Sequence, residues 1–168
     1  MKVLFLDIDG VLNHEKHYEW LHNTDEATPL QRVYPFSEFN PESCKILNRI
    51  IDATGAKIVL SSSWRLDGIT RMNNLFKHFG LPRIYDITPS LCERFGSLCR
   101  GKEIDKWLSE HPEVTHYVIL DDDTDMEEHQ LPFFIKTDPY KDGLNEEVKN
   151  KCIKILNFLR YCLYYKCK

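Results

Sequence analysis

Three strand-length runs of apolar residues, each ending in polar side chains, constrain the fold of this chain most strongly. The runs cover residues 2–7, 57–61 and 116–120. Continuous apolar runs of this length are typical of parallel strands that are buried on both faces. Because the carboxyl ends of parallel strands lie at one edge of a sheet, where ligands bind, the sequence predicts a site at that edge.

Helical segments alternate with the predicted strands. One helix is predicted from Asn40 or Pro41 to Gly55, since Asn40 is a good N-cap and Pro41 fits the first helical position. Further helices are predicted over residues 69–79, 102–110 and 145–162, and further strands over residues 84–88 and 133–137. This alternation indicates a three-layer, Rossmannoid α/β fold, in which a parallel sheet carries helices on both faces.

The length of 168 residues predicts a single domain that covers residues 1–168. Residues 13–39 lack sustained periodicity and are predicted to form a small flap with one short helix at residues 18–22. Residues 145–168 are predicted to form a C-terminal helix. Its aromatic end either docks on the sheet or contacts another segment or a second copy, and the oligomeric state stays open.

The composition bears on the location of the protein and on the class of ligand that it binds. No apolar run is long enough for a transmembrane helix, and Asp7 and Asp9 interrupt the first run before a signal peptide could form. The six cysteines show no Cys-x-x-Cys spacing and are predicted to be reduced thiols. We therefore expect a cytoplasmic location. The net charge of −4 argues mildly against a nucleic-acid-binding protein.

Asp7 and Asp9 stand two residues apart where the first strand ends. In a continuing strand their side chains would share one face. Neighbouring buried carboxylates need a cation, because burial and like charge both disfavour their ionised forms. Mg²⁺ meets this need, since it takes oxygen ligands together with water and phosphate. Asp-x-Asp-Gly is also a common turn sequence, so the pair alone leaves a structural interpretation open.

A second acidic cluster, Asp121 to Asp123, follows the third buried run. Taken alone it is equally typical of a solvated turn or a helix cap. Two acidic clusters at the ends of two strands in one parallel sheet converge on the same crevice. Together they predict a cation site.

Candidate phosphate ligands lie in two other segments. Ser61 ends the second buried run, and its hydroxyl could donate to a phosphate oxygen, while Arg65 nearby could bind phosphate with two nitrogens. A turn or cap built from small residues is the alternative. Arg100 and Lys102 lie at a predicted helix start, where a cation could neutralise a phosphoryl group.

These segments, in this order, resemble the motifs of the haloacid dehalogenase (HAD) superfamily of phosphohydrolases. Residues 5–11 match the first motif, residues 58–61 the second and residues 118–122 the fourth. The third motif is normally a lysine; here Arg100 occupies that position by alignment, with Lys102 as the substitute. The chain looks most like small HAD domains, including those found in predicted RNA-repair proteins.

The resemblance implies a two-step mechanism. Asp7 would attack phosphorus to form an aspartyl phosphate, and Asp9 would act as general acid and then as general base. Ser61 and Arg100 would hold the phosphoryl oxygens. The resemblance also implies the ligands of Mg²⁺, which are the carboxylates of Asp7, Asp121 and Asp122 and the backbone carbonyl of Asp9. A phosphotransferase and a catalytically silent HAD binding module remain open.

The resemblance also bears on the substrate. HAD enzymes usually cover the site with a cap domain, for which residues 13–39 are too short. We therefore expect a nearly capless site, with a flap containing Tyr18, Trp20 and Tyr34. An open site suits a phosphorylated macromolecule. The acidic net charge favours a phosphoprotein substrate, with phosphotyrosine preferred. The likeness to RNA-repair proteins instead favours the 3′-phosphate of a nucleic acid.

Overall fold

The computed structural model describes residues 1–28, 31, 38–91 and 99–158. Within these residues five parallel strands form one sheet, in the order β3–β2–β1–β4–β5. The strands are β1 (Lys2–Leu6), β2 (Lys57–Leu60), β3 (Ile84–Ile87), β4 (His116–Asp121) and β5 (Phe134–Lys136). The predicted α/β fold with a parallel sheet is confirmed.

Helices pack on both faces of the sheet. They are α1 (Glu15–Asn23), α2 (Pro41–Thr54), α3 (Ile69–His78), α4 (Arg100–Glu110) and α5 (Glu146–Phe158). Alternate residues of a strand point to opposite faces, so Leu4 and Leu6 join one buried cluster with side chains of α2, α3 and α5. Val3 and Phe5 join a second cluster with side chains of α4. Both faces of the sheet are therefore covered, as the continuous apolar runs predict.

Strand register aligns the residues that follow the central strands. Leu6 of β1 lies level with Leu60 of β2 on one side and with Leu120 of β4 on the other. The next residue of each strand therefore reaches the same edge of the sheet. Those residues are Asp7, Ser61 and Asp121.

Several element boundaries differ from the predicted ones. Helix α1 is longer than the five residues predicted, because the side chain of His14 caps it by accepting a hydrogen bond from the backbone of His17. Helix α4 begins at Arg100 rather than at Lys102. Tyr34 of the predicted flap and residues 159–168 of the predicted C-terminal helix lie outside the described residues. None of the described helices is both long and apolar enough to cross a membrane.

Candidate active site

Three aspartates meet at the carboxyl edge of the sheet. Carboxylate oxygens of Asp7, Asp121 and Asp122 lie within 4.8 Å of one another. Asp7 and Asp121 are buried, and Asp122 is partly exposed. The backbone N–H of Asp7 donates to the carbonyl of Leu120, at 2.9 Å, which fixes the end of β1 against β4. The structure thus brings together three of the four predicted metal-binding residues through their side chains.

Gly10 allows Asp122 to approach this cluster. Its φ of +68° lies in the left-handed region, which residues with a Cβ rarely adopt. A Cβ at this position would also lie 2.5 Å from Cγ of Asp122. Both the turn and the packing of the acidic cluster therefore require glycine here.

Arg100 supplies positive charge to the cluster. Its Nε lies 3.3 Å from Oδ2 of Asp121, its Nη1 lies 3.6 Å from Oδ1 of Asp7, and it also donates to the carbonyl of Ser61. Burial opposes the charged form of Arg100, but the neighbouring aspartates outweigh it and raise its pKa. Lys102, the other cation that the sequence left open, is exposed. Arg100 therefore contacts both Asp7 and Asp121.

The start of α4 is held against the loop that follows β4. The backbone N–H of Arg100 donates to Oδ2 of Asp125, at 2.9 Å, and that of Gly101 donates to the carbonyl of Asp125, at 3.1 Å. A Cβ on Gly101 would lie 2.7 Å from the backbone nitrogen of Glu127. The absence of a side chain at Gly101 therefore lets the start of α4 approach the loop after β4, with Arg100 placed beside Asp121.

The electrostatics of the cluster fit a divalent cation. Burial raises the pKa of Asp7, while Arg100 and a hydrogen bond from the hydroxyl of Ser62 act to lower it. Burial also raises the pKa of Asp121, and the charge of Asp7 adds to that rise. The one positive charge of Arg100 is therefore not enough to balance the negative charges of Asp7 and Asp121. Oxygen donors this close together are the ligands that Mg²⁺ prefers, so the residues fit this ion.

The serines after β2 have separate environments. Ser61 is 1% exposed, and its hydroxyl makes no hydrogen bond within the described residues. Ser62, which no sequence motif marked as a site residue, bonds to Asp7 and also accepts a hydrogen bond from the backbone of Trp64, at 3.4 Å. The one property that could have drawn attention to Ser62 is its place as the N-cap of a 3₁₀ helix, Ser63–Asp67.

The carboxylate of Asp9 is not one of the three clustered ones, although its charge acts on both Asp7 and Asp122. Strand β1 ends at Leu6, so the spacing of Asp7 and Asp9 does not place both on one face of a strand. Asp9 is exposed, its Oδ2 accepts from Nε1 of Trp64 at 2.9 Å, and its Oδ1 accepts from Nδ2 of Asn13 at 3.0 Å. No sequence signal pointed to Trp64 or Asn13 as partners of Asp9.

Arg65 is placed differently from the sequence expectation. Its Nη2 lies 2.7 Å from both carboxylate oxygens of Glu103, and its Nη1 donates to the carbonyl of Ser62 at 2.8 Å. Both side chains of the ion pair are buried. Because this pair occupies the guanidinium, the structure does not support Arg65 as a phosphate ligand.

Comparison with known proteins adds one match. A family model described as the HAD domain in Swiss Army Knife RNA repair proteins matches residues 3–148. No curated protein matches the chain, and no solved structure does. The matched range contains the three clustered aspartates, Asp9, Ser61 and Arg100.

Proposed function

This chain belongs to the family of HAD domains in Swiss Army Knife RNA repair proteins, and we propose that it is a Mg²⁺-dependent phosphomonoester hydrolase. The observation that carries the proposal is the buried carboxylate cluster of Asp7, Asp121 and Asp122, with Arg100 in contact with it. A buried acidic group beside one fixed cation is suited to binding a metal ion and a phosphoryl group together.

Asp7 is proposed as the nucleophile. One of its carboxylate oxygens attacks phosphorus while the bond from phosphorus to the leaving-group oxygen breaks, which leaves an aspartyl phosphate. Its contacts support this role, because Arg100 and the Ser62 hydroxyl both act to keep the carboxyl group ionised. The hydroxyl of Ser61 and the guanidinium of Arg100 are proposed to bind the phosphoryl oxygens.

Asp9 is proposed as the acid–base residue. It gives a proton to the leaving oxygen in the first step and takes a proton from the attacking water in the second. Its exposure supports this role, because the leaving group and the water both reach the site from solvent.

The carboxylates of Asp7, Asp121 and Asp122 and the backbone carbonyl of Asp9 are proposed to hold Mg²⁺. When bound, the ion supplies positive charge against the charge that develops on the phosphoryl oxygens. Arg100 approaches the cluster at Asp7 and Asp121.

The proposed substrate is a terminal phosphate on RNA. The acidic net charge alone had favoured a phosphoprotein, but the description of the family names RNA repair proteins and shifts the proposal. We further propose that residues 13–39 act as a flap on a single domain. Helix α1, with Tyr18 and Trp20, lies within the described part of that flap.

The reaction is tested by Mg²⁺-dependent hydrolysis of p-nitrophenyl phosphate. Asp7→Asn keeps the shape of the side chain but removes the nucleophile, so we expect a loss on the order of 10³-fold or more. Asp52→Asn, on the exposed surface of α2, is the matched control and should retain the wild-type rate. Equal rates for wild type and Asp7→Asn would exclude this mechanism. A folded wild type without activity would favour the binding-module alternative.

The substrate is tested with the same protein and three phosphorylated probes. We expect release of inorganic phosphate from an oligoribonucleotide with a 3′- or 5′-phosphate and much slower release from a phosphotyrosine peptide. Asp7→Asn serves as the control for contaminating phosphatases. Faster turnover of the peptide would contradict the RNA substrate and support a phosphoprotein substrate instead.

A further inference from the structure

Asp9 is exposed, yet both oxygens of its carboxyl group are engaged by other side chains. The indole Nε1 of Trp64 donates to Oδ2, and the amide Nδ2 of Asn13 donates to Oδ1. An exposed aspartate without such partners is free to change rotamer. The two bonds therefore fix both the direction and the plane of the Asp9 carboxyl group.

Trp64 is itself held in place. Its backbone N–H bonds to the side chain of Ser62, and its ring lies 5.9 Å from the ring of Phe39, measured between centroids. Phe39 is 1% exposed and belongs to the larger core cluster. Packing against the core therefore fixes the position of the indole N–H, and the hydrogen bond from that N–H holds the Asp9 carboxyl group.

We infer that Trp64 is a positioning residue for general acid–base catalysis by Asp9, an inference that rests on the proposed function. In the first step the bond between Asp7 and phosphorus forms, the bond from phosphorus to the leaving oxygen breaks, and the proton of Asp9 moves to that oxygen. In the second step water attacks phosphorus, its proton moves to Asp9, and the carboxylate of Asp7 is released.

The chemistry of the indole suits this role. Its N–H can donate a hydrogen bond but cannot accept one or exchange roles with Asp9. The bond to Oδ2 can therefore persist whether Asp9 is protonated or ionised, so Asp9 is held in one place through both steps. A misplacement of about 1 Å can cost on the order of 10²-fold in rate, so such restraint matters.

A positioning role makes a prediction that a purely structural role does not make. Protonation of the leaving oxygen matters most when the leaving group is a poor one, such as an alcohol. A nitrophenolate leaves readily without a proton. Loss of the Trp64 bond should therefore slow hydrolysis of an alkyl phosphate much more than hydrolysis of p-nitrophenyl phosphate.

The test compares kcat for glycerol 2-phosphate and p-nitrophenyl phosphate, each with Mg²⁺. We expect Trp64→Phe to lose about tenfold or more on glycerol 2-phosphate and less than about threefold on p-nitrophenyl phosphate, with the same pattern stronger in Asp9→Asn. Trp107→Phe is the matched control, since it removes another indole donor, to Asp86 at 2.7 Å, outside the site. Its two rates should change by the same factor.

A second measurement does not depend on the folding of Trp64→Phe. The chain has three tryptophans, so a ¹⁵N-labelled sample gives three indole N–H signals, and Trp20→Phe and Trp107→Phe assign that of Trp64 by elimination. Asp9→Ala should move the Trp64 signal and leave the other two unchanged. An unmoved Trp64 signal would overturn the inference.

The outcomes separate the inference from the proposed function. If the wild type hydrolyses neither phosphate, the proposed function fails and the inference fails with it. If wild type and Asp9→Asn behave as expected but Trp64→Phe slows both substrates equally, the inference alone is wrong. Selective loss on glycerol 2-phosphate in Trp64→Phe, absent from Trp107→Phe, supports both.

Discussion

Arg65 and Glu103 form a buried ion pair in which Nη2 of the arginine lies 2.7 Å from both carboxylate oxygens of the glutamate. Their side chains are 6% and 1% exposed. The pair joins the 3₁₀ helix after β2 to α4, and Arg65 also bonds to the carbonyl of Ser62. It therefore fixes Ser62, which contacts Asp7, relative to the helix that begins with Arg100.

Replacement of Glu103 with glutamine should destabilise the protein strongly. The substitution leaves the charge of Arg65 buried without an ionic partner, which typically costs about 3–5 kcal/mol in the free energy of unfolding. Urea denaturation followed by circular dichroism measures this cost. Glu110→Gln is the matched control on the same helix, because the Lys106–Glu110 pair is about half exposed and should contribute less than about 1 kcal/mol. Similar losses in both variants would contradict the role given to the buried pair.

The sheet and its acidic edge could be predicted because their signals are local in the sequence. Each buried strand appears as a continuous apolar run, and the helix α2 carries a cap at each end, Asn40 and Gly55. Once the strands are parallel, the residues after β1 and β4 must lie at the same edge. The sequence was therefore sufficient to predict that Asp7 lies close to Asp121.

The partners of Arg65 and Asp9 could not be predicted in the same way. Glu103 lies 38 residues after Arg65, and Trp64 lies 55 residues after Asp9. Both contacts depend on the direction of side chains in the short 3₁₀ helix after β2, which no periodicity in the sequence reports. The sequence marked Arg65 as a cation near a phosphate site, and only the folded chain shows that Glu103 binds it.

Alanine at Gly10 should weaken binding of Mg²⁺. The added Cβ would overlap Asp122, which must then move away from Asp7 and Asp121. Gly55→Ala is the matched control, because Gly55 has a similar φ of +66° but no atom within 4 Å of an added Cβ. Both variants should lose on the order of 1 kcal/mol of stability from backbone strain. Only Gly10→Ala should need more Mg²⁺ for half of the full shift in melting temperature, and equal Mg²⁺ dependence would contradict the placement of Asp122.

His17 should make the protein less stable in mild acid. It is 5% exposed, and burial, with a smaller contribution from His14, lowers the pKa of His17 to about 4. Between that value and about 6.5, the ordinary pKa of histidine, the unfolded state binds the proton and the folded state does not. The contribution of His17 to stability is therefore complete above pH 6.5 and falls as the pH is lowered toward 4.

Comparison with His17→Phe isolates this effect. Phenylalanine keeps a ring beside Trp20, which stacks on His17 with 6.0 Å between ring centroids, but cannot take up a proton. Between pH 7 and pH 4.5 the wild type should lose on the order of 2 kcal/mol relative to the variant in urea denaturation. The buried aspartates titrate in both proteins and cancel in the difference. Parallel stability curves would show that His17 is protonated equally in both states.

Arg100 and Lys102 should differ sharply in their effect on activity, because Arg100 lies against Asp7 and Asp121 at the site and Lys102 is exposed. The side chain of Arg100 is 15% exposed. Arg100→Gln should lower kcat/KM for p-nitrophenyl phosphate by about 10²-fold or more, as expected for loss of a fixed charge at a phosphoryl group. Lys102→Gln, the matched control two residues away, should stay within about threefold of wild type, and Arg100→Lys should retain part of the rate because the charge is kept. A larger loss in Lys102→Gln than in Arg100→Gln would assign the phosphate-binding cation to Lys102 instead.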